Sequence, residues 1–169
     1  MPLVCGITGS PRPASFSSEI LNTAMAELTK QGWMGETMDA TRPDIEFCTG
    51  CGSCRSSFVC YHNDALTGFF QKLEHADALI VSTPIYFNSV SAQLKRLIDR
   101  GQPWWLRREK ALERGRSLSW HRPAALIMTA GSTRTEHLFH GAEASFRCFC
   151  ATMGFYPMTV LDVAETDTM

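Results

Sequence analysis

The stretch Ala78-Leu79-Ile80-Val81-Ser82-Thr83 is a continuous, mostly apolar run that is cut off by Pro84. A strand without polar alternation is buried on both faces, as in parallel sheets that helices cover on both sides. Two further runs, Leu3–Thr8 and Pro123–Thr129, have the same character. The three runs predict an α/β fold in which helices cover both faces of a central parallel sheet.

Segments of helical periodicity alternate with these apolar runs, as expected for β-α-β units. In the first segment, apolar residues recur at helical spacing from Ile20 to Leu28. Ser17 or Ser18 is its expected N-cap and Gly32 its expected stop. The predicted helices are Ser17–Lys30, Ala65–His75, Ala92–Arg100 and Thr135–Met153, and the remaining predicted strands are Gly35–Ala40 and Thr159–Val163.

Length and composition indicate one domain over residues 1–169. A chain of this length buries roughly 70 % of the surface that it exposes when unfolded. The net charge is −1, so neither a nucleic-acid nor a membrane partner is expected. The start of the chain does not have the pattern of a signal peptide, and the seven cysteines cluster instead of spreading as a disulfide framework would. A cytoplasmic location is therefore expected.

Three loops rich in Gly, Ser, Thr or Asn follow the predicted strand ends: Gly9–Ser17, Pro84–Ser91 and Ala130–Thr135. Ligands of parallel sheets bind beyond the carboxyl ends of the strands, so these loops should converge on one site. The first loop places serines and Arg12 before a helix N-terminus, where free N–H groups and the helix dipole favour a phosphate. The alternative is a solvated loop with an N-cap serine.

A run of four cysteines follows the second predicted strand with the spacing C-x2-C-x2-C-x5-C. Its members are Cys48, Cys51, Cys54 and Cys60. Thiolates this close together repel one another unless iron or zinc neutralises them. The spacing is similar to ferredoxin runs that bind a [4Fe–4S] cluster, and Gly50 and Gly52 allow tight turns around one. A structural zinc site, which usually has a longer spacer, and thiols without metal are the alternatives.

Three motifs together resemble a known flavoprotein family. They are Gly9-Ser10-Pro11-Arg12, Thr83-Pro84-Ile85-Tyr86-Phe87 and the segment from Ser91 to Arg100. Over roughly Leu3 to Val163 the chain is similar to the flavodoxin-like NAD(P)H-dependent FMN reductases, and its cysteine run is similar to that of their iron–sulfur flavoprotein branch. The resemblance implies a flavodoxin-like three-layer sandwich with a cysteine-rich loop, residues 48–60, inserted after the second strand.

The resemblance also implies bound FMN. The residues that it places at the phosphate are Ser10, Arg12, Ser15, Ser17 and Ser18; those along the flavin ring are Pro84, Ile85, Tyr86, Phe87 and Asn88; Gly131 and Ser132 belong to the third loop. The adjacent aromatic side chains offer a flat apolar surface to the ring, unless they pack in the core. Since no Gly-x-Gly-x-x-Gly fingerprint occurs, FMN is favoured over FAD, and NAD(P)H is kept as a candidate substrate.

The function implied by the resemblance is that of an FMN-dependent oxidoreductase. Electrons would come from a one-electron donor such as ferredoxin, pass through a [4Fe–4S] cluster to FMN, and continue to an acceptor. Two alternatives remain: a cluster-free NAD(P)H-dependent FMN or quinone reductase, and a non-catalytic binding module stabilised by a metal.

Two features of the sequence predict partners. Basic residues outnumber acidic ones between Lys95 and Arg122, which indicates either a docking surface for an acidic electron carrier or a solvated helix face. Members of the family usually continue after the last strand into a closing helix, whereas this chain ends soon after Val163. A homodimer or tetramer that covers the exposed sheet face is therefore expected. Trp104 and Trp105 either cap the flavin pocket or lie at the subunit interface, and the interface is favoured.

Overall fold

A six-stranded sheet forms the centre of the computed structural model, which describes residues 1–116 and 121–168. The strands are β1 (Leu3–Thr8), β2 (Met34–Asp39), β3 (Ala78–Tyr86), β4 (Ser89–Val90), β5 (Arg122–Thr129) and β6 (Phe155–Val163). The helices are α1 (Phe16–Lys30), α2 (Cys54–Ser57), α3 (Ala65–His75), α4 (Ala92–Asp99), α5 (Gln102–Glu113) and α6 (His140–Met153), followed by a 3-10 turn at Thr166–Thr168. In the described part of the chain, no helix is long and apolar enough to cross a membrane.

Five strands of the sheet are parallel and lie in the order β2-β1-β3-β5-β6. The short β4 pairs antiparallel with the end of β3. Without β4, the strands follow the 2-1-3-4-5 order of flavodoxin-like sheets. The predicted α/β architecture with a central parallel sheet is confirmed.

The two faces of the sheet are covered unequally. Helices α3, α4 and α6 pack one face and contribute 11 of the 28 buried residues of the larger core. The other face carries α1, whose Leu21 and Met25 form a smaller core with Val4 and Ile127. Along β6, the large side chains of Tyr156, Met158 and Leu161 are exposed.

Two cysteines lie in the core and do not belong to the cysteine run. Cys5 lies in β1 and Cys150 in α6, and both are buried. Burial raises the pKa of Cys5 to about 11 and that of Cys150 to about 12, so both remain neutral thiols near pH 7. They act as small apolar packing residues.

Several element bounds differ from the sequence prediction. The N-cap of α1 is Ser15, not Ser17 or Ser18, because the Ser15 side chain accepts the Ser18 backbone N–H. Strand β3 continues beyond Pro84 to Tyr86, because this end of the strand pairs with β4, a hairpin that the sequence did not predict. Helix α6 begins at His140 and not at Thr135.

Other helices and strands also shift or are new. Strand β6 begins at Phe155, four residues before its predicted start, and it contains a register shift opposite Ala124 and Ala125. Helix α5 was not predicted at all, and it follows α4 after a break at Arg100 and Gly101. By contrast, β1 and α3 have the predicted bounds.

Candidate functional site

The carboxyl ends of β1, β3 and β5 lie side by side, and side-chain hydrogen bonds join the loops that follow them. We call these loops the edge loops; they are residues 9–15, 87–91 and 130–135. Ser91 Oγ donates to the Gly9 carbonyl at 2.5 Å, and Ser91 N–H donates to Thr83 Oγ1 at 3.2 Å. Ser91 Oγ also caps α4 by accepting the Leu94 N–H. The first two edge loops are therefore fixed to each other.

Gly9 permits this close approach. A Cβ atom built on Gly9 would lie 2.8 Å from the Leu94 Cβ, which is closer than real Cβ atoms pack. A side chain at position 9 would therefore push β1 away from α4. Neither Gly9 nor Ser91 was predicted as a site residue, although both stand in the motifs that carry the family resemblance.

The first edge loop gathers hydroxyl groups at the N-terminus of α1. Ser15 Oγ lies 2.8 Å from Ser18 Oγ and 3.3 Å from Ser17 Oγ, while Ser10 Oγ accepts the Arg12 N–H at 3.2 Å. Ser10 and Ser17 are buried, whereas Arg12 extends into solvent. The residues expected at a phosphate thus share one helix end, where N–H groups and hydroxyls favour an anion.

The second edge loop is a two-residue hairpin turn between β3 and β4. Both of its central residues, Phe87 and Asn88, have positive φ angles, of 50° and 59°. This is the backbone of a type I′ turn, and it is unusual for a phenylalanine. Phe87 is fully exposed and Tyr86 is more than one-third exposed, so the alternative in which both aromatic residues pack in the core is wrong. Tyr86 and Phe87 remain accessible to a planar ligand or a partner.

Pro84 and Ile85 differ from the other expected flavin-ring residues because they lie inside β3. Ile85 is buried in the larger core, and Pro84 is half-buried. The side chain of Ile85 therefore packs against the core, and a ligand above the strand end would meet the backbone of this residue.

The third edge loop is covered by the segment that follows β6. Glu165 N–H donates to the Ser132 carbonyl at 3.1 Å, and the carboxylate of Asp167 lies directly against Gly131, in the space that a Cβ atom would take. Asp167 also faces Arg12, with 3.7 Å between Oδ1 and Nη1. An anion at the first edge loop would therefore compete with Asp167 for Arg12.

The four cysteines of the run line one cavity of about 520 Å³, which we call the cysteine cavity. All four thiols are free, and Gly50 and Gly52 hold the turns between them with φ angles of 67° and 78°. A hydrogen bond with Ser53 lowers the pKa of Cys51, whereas burial raises that of Cys54. Among the described residues, no three His, Cys, Asp or Glu side chains are grouped closely enough to hold a single metal ion.

A buried ion pair lies beside this cavity. Arg100 Nη1 donates to Asp64 Oδ2 at 2.7 Å and to the Glu46 carbonyl at 2.9 Å, and the Arg100 side chain is 1 % exposed. Asp64 Oδ1 caps α3 by accepting the N–H groups of Leu66 and Thr67. Burial alone would raise the pKa of Asp64, but the hydrogen bond from Arg100 and the backbone N–H donors lower it.

Three other side chains lie near the cavity. His62 lines the cavity, and its Nε2 is buried without a hydrogen-bond partner. Trp104 packs within the chain against Phe70 and donates to Glu74 Oε1, and Trp105 lines the cavity. No sequence signal pointed to Asp64 and Arg100 as partners, since they are 36 residues apart.

Most side chains of the basic segment from residue 95 to 122 have partners within the chain. Lys95 pairs with Asp99, Lys110 with Glu113 and Arg107 with Glu74, while Arg122 donates to backbone carbonyls at the ends of α3 and α6. Because these charges are partly neutralised internally, the surface that is available to an acidic carrier is less basic than the sequence count indicates.

Helix α4 connects the two regions. It begins after Ser91, in the second edge loop, and it ends before Arg100, at the cysteine cavity. At 1.5 Å of rise per residue, these two positions are about 14 Å apart along the helix. The edge loops and the cysteine cavity are therefore neighbouring sites joined by one rigid element.

Comparison with known proteins agrees with this arrangement. Residues 2–160 match the family model described as NADPH-dependent FMN reductase. Two curated relatives are iron-sulfur flavoproteins: one from Archaeoglobus fulgidus is 36 % identical over 99 residues, which are 59 % of this chain and 45 % of that protein. The other, from Methanocaldococcus jannaschii, is 34 % identical over 100 residues, which are 59 % of this chain and 52 % of that protein.

The fold also matches solved structures. The azoreductase of Bacillus anthracis superimposes with a TM-score of 0.67 over 99 % of this chain and 89 % of that chain, at 13 % identity. At this identity the likeness concerns the fold alone. The chain spans about half the length of the curated relatives that it matches. Since the family model covers nearly all of the sequence, the chain belongs to the NADPH-dependent FMN reductase family.

Proposed function

We propose that this protein is an FMN-dependent oxidoreductase that passes electrons from a one-electron donor through a [4Fe–4S] cluster to FMN and on to an acceptor. The observation that carries the proposal is α4, which begins at the edge loops and ends at the cavity lined by four cysteines. The iron-sulfur flavoprotein relatives support the same pairing of cofactors. When bound, a cluster exchanges single electrons and a flavin stores two.

The edge loops supply the groups that FMN needs. The serine hydroxyls and the N-terminus of α1 would bind the phosphate. Arg12 would leave its contact with Asp167 and pair with the phosphate instead. Tyr86, Phe87 and Asn88 would lie along the ring, where the positive φ angles of the turn hold backbone groups at the strand end. The role of these residues is to orient the flavin and exclude water from one side of it.

The cysteine cavity fits a cluster better than a single metal ion. Four thiols line the same space, but no three of the described donors are close enough for a mononuclear site such as structural zinc. A cube of iron and sulfide holds its four thiolates at separate corners, farther apart than one ion does. Cys48, Cys51, Cys54 and Cys60 would hold it.

Anaerobic purification followed by iron, sulfide and FMN analysis tests this function. We expect about four irons per chain, as for a [4Fe–4S] cluster, and a brown protein that absorbs broadly near about 400 nm. Cys51→Ala should lose the iron and keep the FMN, whereas Cys148→Ala, at an exposed cysteine outside the cavity, should keep both. A wild-type protein with FMN and no iron would contradict the cluster.

A cluster-free NAD(P)H-dependent FMN or quinone reductase is the second candidate. The observation that favours it is the match of residues 2–160 to the family model described as NADPH-dependent FMN reductase. It predicts a yellow protein whose NAD(P)H oxidation is unchanged in Cys51→Ala. A non-catalytic metal-stabilised binding module predicts a colourless protein, and bound FMN would eliminate it.

The partners and location belong to this proposal as well. The exposed Tyr156, Met158 and Leu161 on β6 support a homodimer or tetramer, which light scattering would test. An acidic electron carrier such as ferredoxin would dock on the remaining basic surface near the cysteine cavity. Free thiols throughout the described chain suit a reducing compartment, so we propose a cytoplasmic protein.

A further inference from the structure

In the ion pair of Arg100 and Asp64, the arginine and not the aspartate is on the side of the cysteine cavity. Arg100 is among the residues that line the cavity, and Asp64 is not. The pair is almost completely buried, with 1 % of the arginine side chain and 9 % of the aspartate side chain exposed. The cavity therefore faces the positive end of a buried dipole, in a medium where water screens little.

The contacts of Arg100 leave one N–H group of its guanidinium without an acceptor. Nη1 and Nη2 are used by Asp64 and by the Glu46 carbonyl, whereas Nε is buried and has no hydrogen-bond partner. A buried N–H group without an acceptor is costly, so an acceptor at this position would be stabilising. Cys60, one of the four cysteines, lines the cavity together with Arg100.

Other charged groups at the cavity do not have this arrangement. Asp99 is paired with Lys95 on the surface, and Arg55 is an exposed residue of α2. Arg96 is an arginine of α4 one turn before Arg100, but it donates to the carbonyls of residues 40 and 42 and does not line the cavity. Arg96 is therefore a matched control for Arg100.

We propose that the Arg100–Asp64 pair sets the reduction potential of the cluster, with Arg100 raising it by hydrogen bonding and charge and Asp64 limiting that effect. This inference rests on the proposed function. A cluster held by four thiolates is negatively charged and becomes more negative when it accepts an electron. A nearby cation therefore stabilises the reduced form more than the oxidised form, whereas a carboxylate behind that cation reduces the difference.

The proposal is tested by redox titration of the anaerobic holoprotein, in which electron paramagnetic resonance follows the cluster and visible absorption follows FMN. Arg100→Gln removes the positive charge and should lower the cluster potential by at least 59 mV, a tenfold change for a one-electron couple. Asp64→Asn leaves the arginine charge uncompensated and should raise the potential, while asparagine still caps α3. Arg96→Gln should leave the cluster potential unchanged, and the FMN potential should stay constant in all three variants.

Shifts of opposite sign would distinguish an electrostatic role from a structural one, because general damage to the loop would not change sign between the two variants. If Arg100→Gln does not retain iron, a positive shift in Asp64→Asn supports the proposal alone. Unchanged potentials, equal shifts in Arg96→Gln, or loss of the cluster from both folded variants would overturn it. A wild-type protein without iron would instead overturn the proposed function.

Discussion

The edge loops and the cysteine loop, residues 48–60, lie at opposite ends of α4 and are held in different ways. The edge loops are joined to one another by buried hydrogen bonds such as that from Ser91 to Gly9. The cysteine loop is held by solvent-exposed hydrogen bonds within itself, such as that from Ser57 Oγ to the Ser53 carbonyl at 3.0 Å, and by Arg107, which donates to the Phe58 carbonyl. The difference predicts that the edge loops keep their geometry without a ligand, whereas the cysteine loop would gain its final geometry on binding the proposed cluster.

The largest effect is expected for Gly9→Ala. Its Cβ would meet the Leu94 Cβ at 2.8 Å, so the variant should lose about 2 kcal/mol of unfolding free energy and most of its FMN binding. Gly68→Ala in α3 is the control: nothing lies within 4 Å of its added Cβ, and it should be neutral or slightly stabilising. Urea unfolding and FMN titration measure both. Equal stability of the two variants would show that the edge loops are not tightly packed.

The next largest effect is expected for Ser91→Ala. The serine hydroxyl donates to the Gly9 carbonyl and caps α4, so its loss should cost about 1–2 kcal/mol of unfolding free energy. The Ser145 hydroxyl donates only to the Gly141 carbonyl in its own helix. Ser145→Ala should therefore change the free energy of unfolding by less than about 0.5 kcal/mol. An unfolding curve of Ser91→Ala that coincides with the wild type would contradict a preformed site.

A contrasting result is expected at the other end of α4 for Gly50→Ala. Gly50 has a left-handed backbone but nothing within 4 Å of an added Cβ, so the strain is conformational only. In the iron-free protein the loop can relax, and the loss of stability should be below about 1 kcal/mol. In the reconstituted protein, iron retention should fall, which a chelator challenge measures. A loss of stability in the iron-free protein equal to that of Gly9→Ala would show that the cysteine loop is also preformed.

The smallest effect concerns the pH dependence of stability. The hydrogen bond from Arg100 and the backbone N–H donors lower the pKa of Asp64 in the folded protein. The ionised carboxylate therefore contributes to the free energy of unfolding at pH values above its ordinary pKa of 3.8. That contribution is lost as the pH falls through the lower, folded-state pKa. Unfolding between about pH 2 and pH 5 should therefore be less pH-dependent in Asp64→Asn than in the wild type. Parallel curves for the two proteins would show that Asp64 is not paired in solution.

The sequence predicts the sheet better than the sites, for a physical reason. Apolar periodicity determines which segments are buried, so the bounds of β1 and α3 are predicted correctly. Strand β3 was wrongly ended at Pro84, because the pairing of Ile85 with Val90 depends on a turn whose residues, Phe87 and Asn88, rarely take positive φ angles.

The candidate site shows the same limit. The first edge loop and the cysteine run could be located from local spacing, because their members lie close together in the chain. The pairing of Arg100 with Asp64 could not, since it joins residues 36 positions apart and requires knowledge of how α3 and α4 pack. The covering of Gly131 by Asp167 is also a contact between distant parts of the chain.

Helix α4 has a consequence for how this protein can vary. It contains eight residues between the serine that fixes the edge loops and the arginine at the cysteine cavity. One inserted residue would turn Arg100 by about 100° around the helix axis relative to Ser91, because an α-helix has 3.6 residues per turn. The arginine would then leave the cavity while the edge loops stayed intact. The rotational phase of a single short helix thus determines whether Arg100 reaches the cysteine cavity.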